Sequence, residues 1–353
     1  MLAAELALNN EVNLYTNFKM NNREIEVYNQ ENKKLYSSKI NLATNDMEKA
    51  IGNAEVIFCT VPSNVVPSII GDIGKHIKEN AYLIFMPGTG GKEYISKAKI
   101  TKNITIAGLQ RVYSIARLKE KGRSVYMLGK KDRLFASAIP NNKSKDVSII
   151  LEKLFNIPCV CVNNYLAVTL TPSNPILHTS RLYAMFKKQE EYEKEILFYE
   201  EWDEESAKIL FECDDELRKI CNKLNKLNLE EVTSLKEYYE SKTEEEFANK
   251  LKSIKSFKGI KAPMIKSNGK YIPDYKSRYF TEDFPYGLLI IKGFALICDI
   301  DTPMIDNIIK WVQVKLNKQY IIDNKLEGKD IVETGIPQNY GINKIEDVYR
   351  FYI

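Results

Sequence analysis

Proton chemistry near neutral pH calls for an imidazole, and this 353-residue chain has only two, His76 and His178. His178 lies in Ser173–Arg181, SNPILHTSR, where Asn174 can cap a helix and Pro175 suits its first turn. That arrangement puts the imidazole near a helix start, with Arg181 three residues on along the same face. His76, in GDIGKHIKEN, has charged and polar neighbours and reads as a solvated helix end. A second segment, RYFTEDFPYG at 278–287, supplies Arg278 and two adjacent carboxylates, Glu282 and Asp283, directly before a strongly helical run. A carboxylate from it could fix the imidazole's tautomer and stabilise the imidazolium, as the third member of a catalytic arrangement does. Asn-Pro and Thr-Glu-Asp-x-Pro are also good helix caps that need carry no chemistry.

The elements that must position these groups fall into two sets. Up to residue 164, short apolar β-rich runs alternate with amphipathic stretches, the pattern of a Rossmann-like α/β domain with a doubly wound parallel sheet. The strands expected are EVNLY (11–15), EVIFCT (55–60), AYLIFM (81–86), ITIAG (104–108), SVYMLG (124–129) and PCVCV (158–162). Crossover helices are expected at 62–77 and 144–155, the second opening on Ser144 as a cap. From 165 to 353 long charged and apolar helical periods take over, at 203–227, 244–254 and 302–316, and predict an all-α C-terminal domain. The acidic stretch at 190–205 reads as a solvated helix face.

Composition narrows the partners. Lysine plus arginine (51) against aspartate plus glutamate (47) leaves a net charge of +4, spread along the chain, which argues against a nucleic-acid partner. The basic cluster Lys119, Lys121 and Arg123 alternates with a glutamate and reads as a solvated loop before a strand. No apolar stretch approaches the roughly 20 residues a membrane span needs, so no membrane partner is expected. The six cysteines contain no CxxC pair and argue against structural zinc or a disulfide framework. With no signal-peptide pattern at the start, a cytoplasmic location is expected. The sequence specifies no oligomeric state.

A doubly wound sheet followed by a helical domain is a dehydrogenase layout, yet G-x-G-x-x-G is absent. The nearest string, PGTGG at 87–91, fails because position 93 is glutamate, and it follows a late strand. MLAAELALNNEVNLY reads as the back of a helix, a turn and a strand, so the first Rossmann strand and its glycine turn are expected about fifteen residues upstream of Met1. A natural start in an α/β domain that never held a dinucleotide is the other reading. Ligands of such sheets lie beyond the carboxyl ends of the strands, which nominates Val61, Pro62 and Ser63, then Pro87, Gly88 and Thr89, for a nucleotide cofactor. At the end of the second Rossmann strand a carboxylate would select NAD. Here Thr16 and Asn17 are neutral, so NAD and NADP both fit.

The chain resembles the octopine/nopaline dehydrogenases, the opine dehydrogenase family. The likeness runs through VIFCTVPSNVV (56–66), PGTGG (87–91), SNPILHTSRLY (173–183), RYFTEDFPYGL (278–288) and TGIPQNYGI (334–342). It implies a Rossmann domain followed by an all-helical one, with substrate held between them. It implies also an NAD(P)H-dependent enzyme that joins an amino acid to a 2-oxo acid and reduces the resulting imine. The family's catalytic histidine and aspartate fall on His178 and Asp283, and an arginine that binds a substrate carboxylate falls on Arg278. Asn174 fits the pattern as a further substrate-binding position. Two alternatives remain at this stage: an oxo- or hydroxy-acid reductase of the same layout without an amine partner, and a non-catalytic remnant.

Overall fold

The computed structural model describes residues 1–20 and 22–353, and the chain divides into two compact units. The first comprises Met1–Val61, Val66–Gly88 and Ile95–Val168; the second comprises Pro62–Val65, Thr89–Tyr94 and Thr169–Ile353. The short segments that follow two of the sheet strands therefore group with the helical unit.

The strands of the first unit are β1 (Asn13–Tyr15), β2 (Glu24–Tyr28), β3 (Lys34–Lys39), β4 (Leu42–Thr44), β5 (Val56–Cys59), β6 (Tyr82–Phe85), β7 (Thr105–Leu109), β8 (Ser114–Glu120), β9 (Ser124–Lys130), β10 (Leu134–Ile139) and β11 (Cys159–Cys161). Five of them make a sheet in the order β11-β10-β7-β6-β5, parallel at every step except β7–β10. All five residues of β7 are buried, as a strand covered on both faces requires. A core of Ile84, Leu109, Leu134, Val147, Leu151 and Phe155 packs the helix Ser144–Phe155 onto this sheet. Each such side chain contributes about 1.5–3 kcal/mol by leaving water. β1 and β4 form a separate parallel pair.

The segment SVYMLG is a strand, β9, but belongs to a second, four-stranded mixed sheet ordered β3-β2-β9-β8. Its placement follows from the connection. β8 and β9 pair antiparallel across a turn at Lys121–Arg123, with Gly122 at φ +75°, whereas a parallel neighbour needs a crossover of a dozen residues or more. The helix expected at 62–77 forms over Val66–His76, and His76 is its last residue. Ser144 does not cap its helix. Lys143 holds that position, and the Ser144 hydroxyl accepts from the Ala138 N–H at 2.9 Å instead.

The second unit is helical: Asn174–Phe186, Glu204–Lys223, Glu244–Ser253, Leu289–Ile297, Pro303–Lys315 and Ile345–Tyr352 are its main elements. One antiparallel hairpin, β12 (Met264–Ser267) and β13 (Lys270–Pro273), turns on Asn268 and Gly269, both at positive φ. Leu289–Ile297 is the central helix, buried at Leu289, Ile290, Ile291, Phe294, Ala295 and Ile297. Its one charge, Lys292, pairs with Asp306 at 2.8 Å. The acidic stretch 190–205 is not a helix face, because most of it is irregular and Phe198, Tyr199 and Trp202 within it are buried. None of the described helices is long and apolar enough to cross a membrane.

Glu93, the residue that spoils the glycine pattern, is fully buried in this unit. The Tyr352 hydroxyl donates to its Oε1 at 2.6 Å and the Thr169 hydroxyl donates to the same oxygen, while Oε2 has no partner among the described residues. Burial raises the carboxyl from 4.5 to about 7. Between those values the folded chain keeps a proton that the unfolded chain has lost, so stability falls as pH rises through the window. Glu93→Gln should therefore match the wild type at pH 4 in thermal melts and exceed it at pH 8 by something on the order of 3 kcal/mol. Parallel stability profiles for the two proteins would reject this.

Candidate active site

His178 and Asp283 come together within the second unit. Ser173 holds the N-cap position of the helix Asn174–Phe186, one residue before the expected Asn174 and without a side-chain capping bond, and Pro175 occupies its first turn. Ten of its thirteen residues are buried, His178 among them at 8% exposure. Asp283 stands at a break in the chain. The short helix Arg278–Thr281 ends before it, and Phe284–Leu288 forms one π-turn, with Pro285 at its start and Tyr286 outside helical φ/ψ, before Leu289–Ile297 begins. Such turns often accompany functional sites. Gly287 in this turn lies against Pro175 so closely that a Cβ would sit 3.1 Å from the ring. Two backbones approaching on a glycine and a proline carry Asp283 to His178.

The imidazole is held at both nitrogens. Nδ1 lies 2.8 Å from Asp283 Oδ2, and Nε2 lies 2.9 Å from the Tyr199 hydroxyl. An ionised Asp283 only accepts, so Nδ1 carries a proton and the Nε2 lone pair accepts from Tyr199 in the neutral ring. Tyr279, at 4.6 Å between ring centroids, and Phe198, at 5.5 Å, wall the imidazole. Burial raises the Asp283 carboxyl above its ordinary value, and the adjoining His178 and the more distant Arg278 charge pull against that rise.

Arg278 is largely exposed, and its guanidinium reaches Glu282 Oε2 through Nη2 at 2.6 Å and Nε at 3.0 Å. The other oxygen of Glu282 accepts the Ser63 backbone N–H at 2.6 Å. Glu282 thus joins the arginine to the Pro62–Val65 segment, and these partners hold its carboxyl low against burial. Ser63 is buried and its N–H is committed to Glu282. Asn174 is exposed, and no described hydrogen bond ties it to the dyad. Arg181 turns away from His178. Its buried guanidinium meets Asp203 and Ser206 at 2.9 Å each and the Glu201 carbonyl at 2.6 Å, fastening this helix to the start of the next.

In the first unit Thr16 and Asn17 follow β1, and the Thr16 hydroxyl accepts from the Phe18 N–H. Gly88, after β6, passes Gly108 and Val168 where a Cβ would lie 2.7 and 2.6 Å from them, so only glycine fits. These strand-end loops offer hydroxyls and backbone amides and no carboxylate, a donor set that accepts a dinucleotide with or without a 2′-phosphate. Among the described residues the six cysteines form no disulfide, and no group of three or more His, Cys, Asp or Glu could hold a metal.

A parallel α/β unit, followed in the chain by a helical unit that carries a histidine–aspartate pair, defines a two-domain dehydrogenase. Residues 161–316 match the NAD/NADP octopine/nopaline dehydrogenase α-helical domain, and residues 1–107 match the N-terminus of NAD-dependent glycerol-3-phosphate dehydrogenase. Opine dehydrogenase of Haliotis discus hannai is 31% identical over 332 residues, which cover 88% of this chain and 82% of that protein. Tauropine dehydrogenase of Arabella iricolor is 28% identical over 88% of this chain and 83% of its own length. The structure of an octopine dehydrogenase with NADH and L-arginine superposes with a TM-score of 0.85 at 25% identity, covering 98% of this chain and 94% of that one. The chain belongs to the opine dehydrogenase family. It is an NAD(P)-dependent oxidoreductase of CH–NH bonds, and its reaction is the reductive condensation of an amino acid with a 2-oxo acid. The reading as an oxo-acid reductase without an amine partner is not favoured.

Proposed function

We propose that His178 is the general acid and base of this reaction and Asp283 its partner. The observation that carries the reading is the buried imidazole bridged by Asp283 on one nitrogen and a hydroxyl on the other. An amino acid presents an ammonium group, which must lose a proton before its nitrogen attacks the keto carbon. The carbinolamine that forms must then gain a proton at its hydroxyl so that water departs. One group that takes a proton and returns it serves both steps, and His178 is built for that, with Asp283 holding the Nδ1 proton and balancing the imidazolium charge. The cofactor, when bound, supplies hydride to the imine carbon. Thr16, Asn17, Val61, Pro62, Ser63, Pro87, Gly88 and Thr89 are the positions proposed to hold it.

Both substrates carry an anionic group, and a guanidinium grips a carboxylate through paired hydrogen bonds, so Arg278 is assigned the clamp and Asn174 a secondary contact. An octopine dehydrogenase structure was obtained with NADH and pyruvate, which makes pyruvate the oxo acid to try first. Six cysteines that form no disulfide among the described residues accord with a cytoplasmic location.

The test is oxidation of NADH and of NADPH by the purified chain with pyruvate, with and without a panel of amino acids. Turnover should require the amine, and equal rates without it would overturn the reading. Arg278→Ala should raise the KM for pyruvate or for the amino acid roughly 10- to 100-fold, the worth of about 1.5–3 kcal/mol of charge-assisted hydrogen bonding, and leave kcat within a few-fold. An unchanged KM for both substrates removes Arg278 from the clamp.

A further inference from the structure

We propose that Tyr199 is a catalytic residue, its hydroxyl carrying the proton between His178 Nε2 and the reacting substrate. The proposal rests on His178 being the acid and base. Neutral imidazole has a single in-plane lone pair once Nδ1 is protonated, and here that lone pair is taken by the Tyr199 hydroxyl at 2.9 Å. A substrate can reach it only if Tyr199 moves aside or passes the proton on.

The packing argues for the second. The Tyr199 ring is 7% exposed and stacked on Phe257 at 4.1 Å with planes 20° apart. Trp202 lies parallel to it at 6.2 Å and Phe198 meets it edge-on at 5.0 Å. A ring held on these sides stays where it is at little cost, whereas removing it would break three aromatic contacts. A phenol oxygen that donates to Nε2 keeps lone pairs for a second partner.

The transfer balances without charging the phenol. When water leaves the carbinolamine, the Tyr199 O–H bond breaks as its proton joins the departing hydroxyl, and the Nε2–H bond of the imidazolium breaks as that proton re-forms the phenol. When the ammonium is deprotonated the same two bonds run in reverse. One proton moves between substrate and His178 each time, and two are in flight.

The experiment compares Tyr199→Phe with the wild type in the reductive direction, using pyruvate, NADH and the amino acid on which the wild type is fastest. Phenylalanine keeps the stacked ring, and a thermal melt checks that the variant is folded. The expected result is a fall in kcat of roughly 10²-fold or more with the KM values and NADH affinity little changed. Rates in mixtures of H₂O and D₂O should give a curved two-proton dependence for the wild type and a one-proton dependence for the variant. If Tyr199→Phe retains wild-type kcat, or loses kcat while the proton dependence of the two proteins is the same, the relay is wrong. If His178→Ala is fully active, the acid and base reading falls and the relay with it; if His178→Ala is dead and Tyr199→Phe is normal, only the relay falls.

Discussion

His178→Ala should reduce the turnover of the condensation by roughly 10²- to 10⁴-fold, the range a positioned proton-transfer group supplies. The size of the effect follows from how little else is available. The other imidazole, His76, ends a helix of the first unit, and no other described hydrogen bond runs between an imidazole and a carboxylate. The variant should still bind NADH, because none of the loops nominated for the cofactor depends on the His178 side chain for a described hydrogen bond. Calorimetric titration with NADH against steady-state kinetics separates the two properties. Equal losses of cofactor affinity and rate would point to collapse of the fold around the helix Asn174–Phe186, and undiminished turnover would end the assignment. Folding has to be checked, since truncating a buried imidazole leaves Asp283 without its partner at the centre of the unit.

What could be read from the chain depended on how rare each residue type is. Histidine occurs twice, so His178 stands out in the sequence alone, and Asp283 lies in a motif whose acids invite pairing. Tyr199 is one of 21 tyrosines and sits in a run dominated by glutamate, where charge masks the signal. The signal was present all the same: Leu197, Phe198, Tyr199 and Trp202 crowd an apolar patch that a solvated face would not carry, and in the structure Phe198 and Tyr199 are buried against the imidazole with Trp202 buried behind them. The hairpin β12–β13 departs from the all-α expectation for this unit, although Asn268-Gly269 is a residue pair that suits a two-residue turn with positive φ. By contrast, the bond between Glu282 and the Ser63 N–H spans 219 positions, and no local pattern encodes it. The same holds for Glu93, which in sequence only broke a glycine fingerprint, and in space joins Thr169 to Tyr352.

Asp283→Asn tests the other half of the dyad with almost no change of shape. The carboxylate can only accept, and so it fixes the proton on Nδ1 and leaves the Nε2 lone pair for chemistry. A carboxamide can turn its NH₂ toward Nδ1, which favours the opposite tautomer with the proton on Nε2, and it offers no charge to balance the imidazolium. Both changes act on the proton-transfer steps, so kcat should fall by roughly 10²- to 10⁴-fold while the KM for each substrate moves little; a serine-protease aspartate replaced in the same way marks the upper end of that range. The pH dependence separates this from a packing defect. As pH falls the His178–Asp283 dyad takes up a proton and wild-type kcat should be lost, at a pH set by the pair: the Asp283 carboxyl is lifted by burial, and the negative charge it carries favours the uptake. Asp283→Asn lacks that charge and should move the limb to lower pH. A variant that keeps the wild-type acid limb at a reduced rate would show that the limb belongs to another group and that Asp283 acts through packing alone.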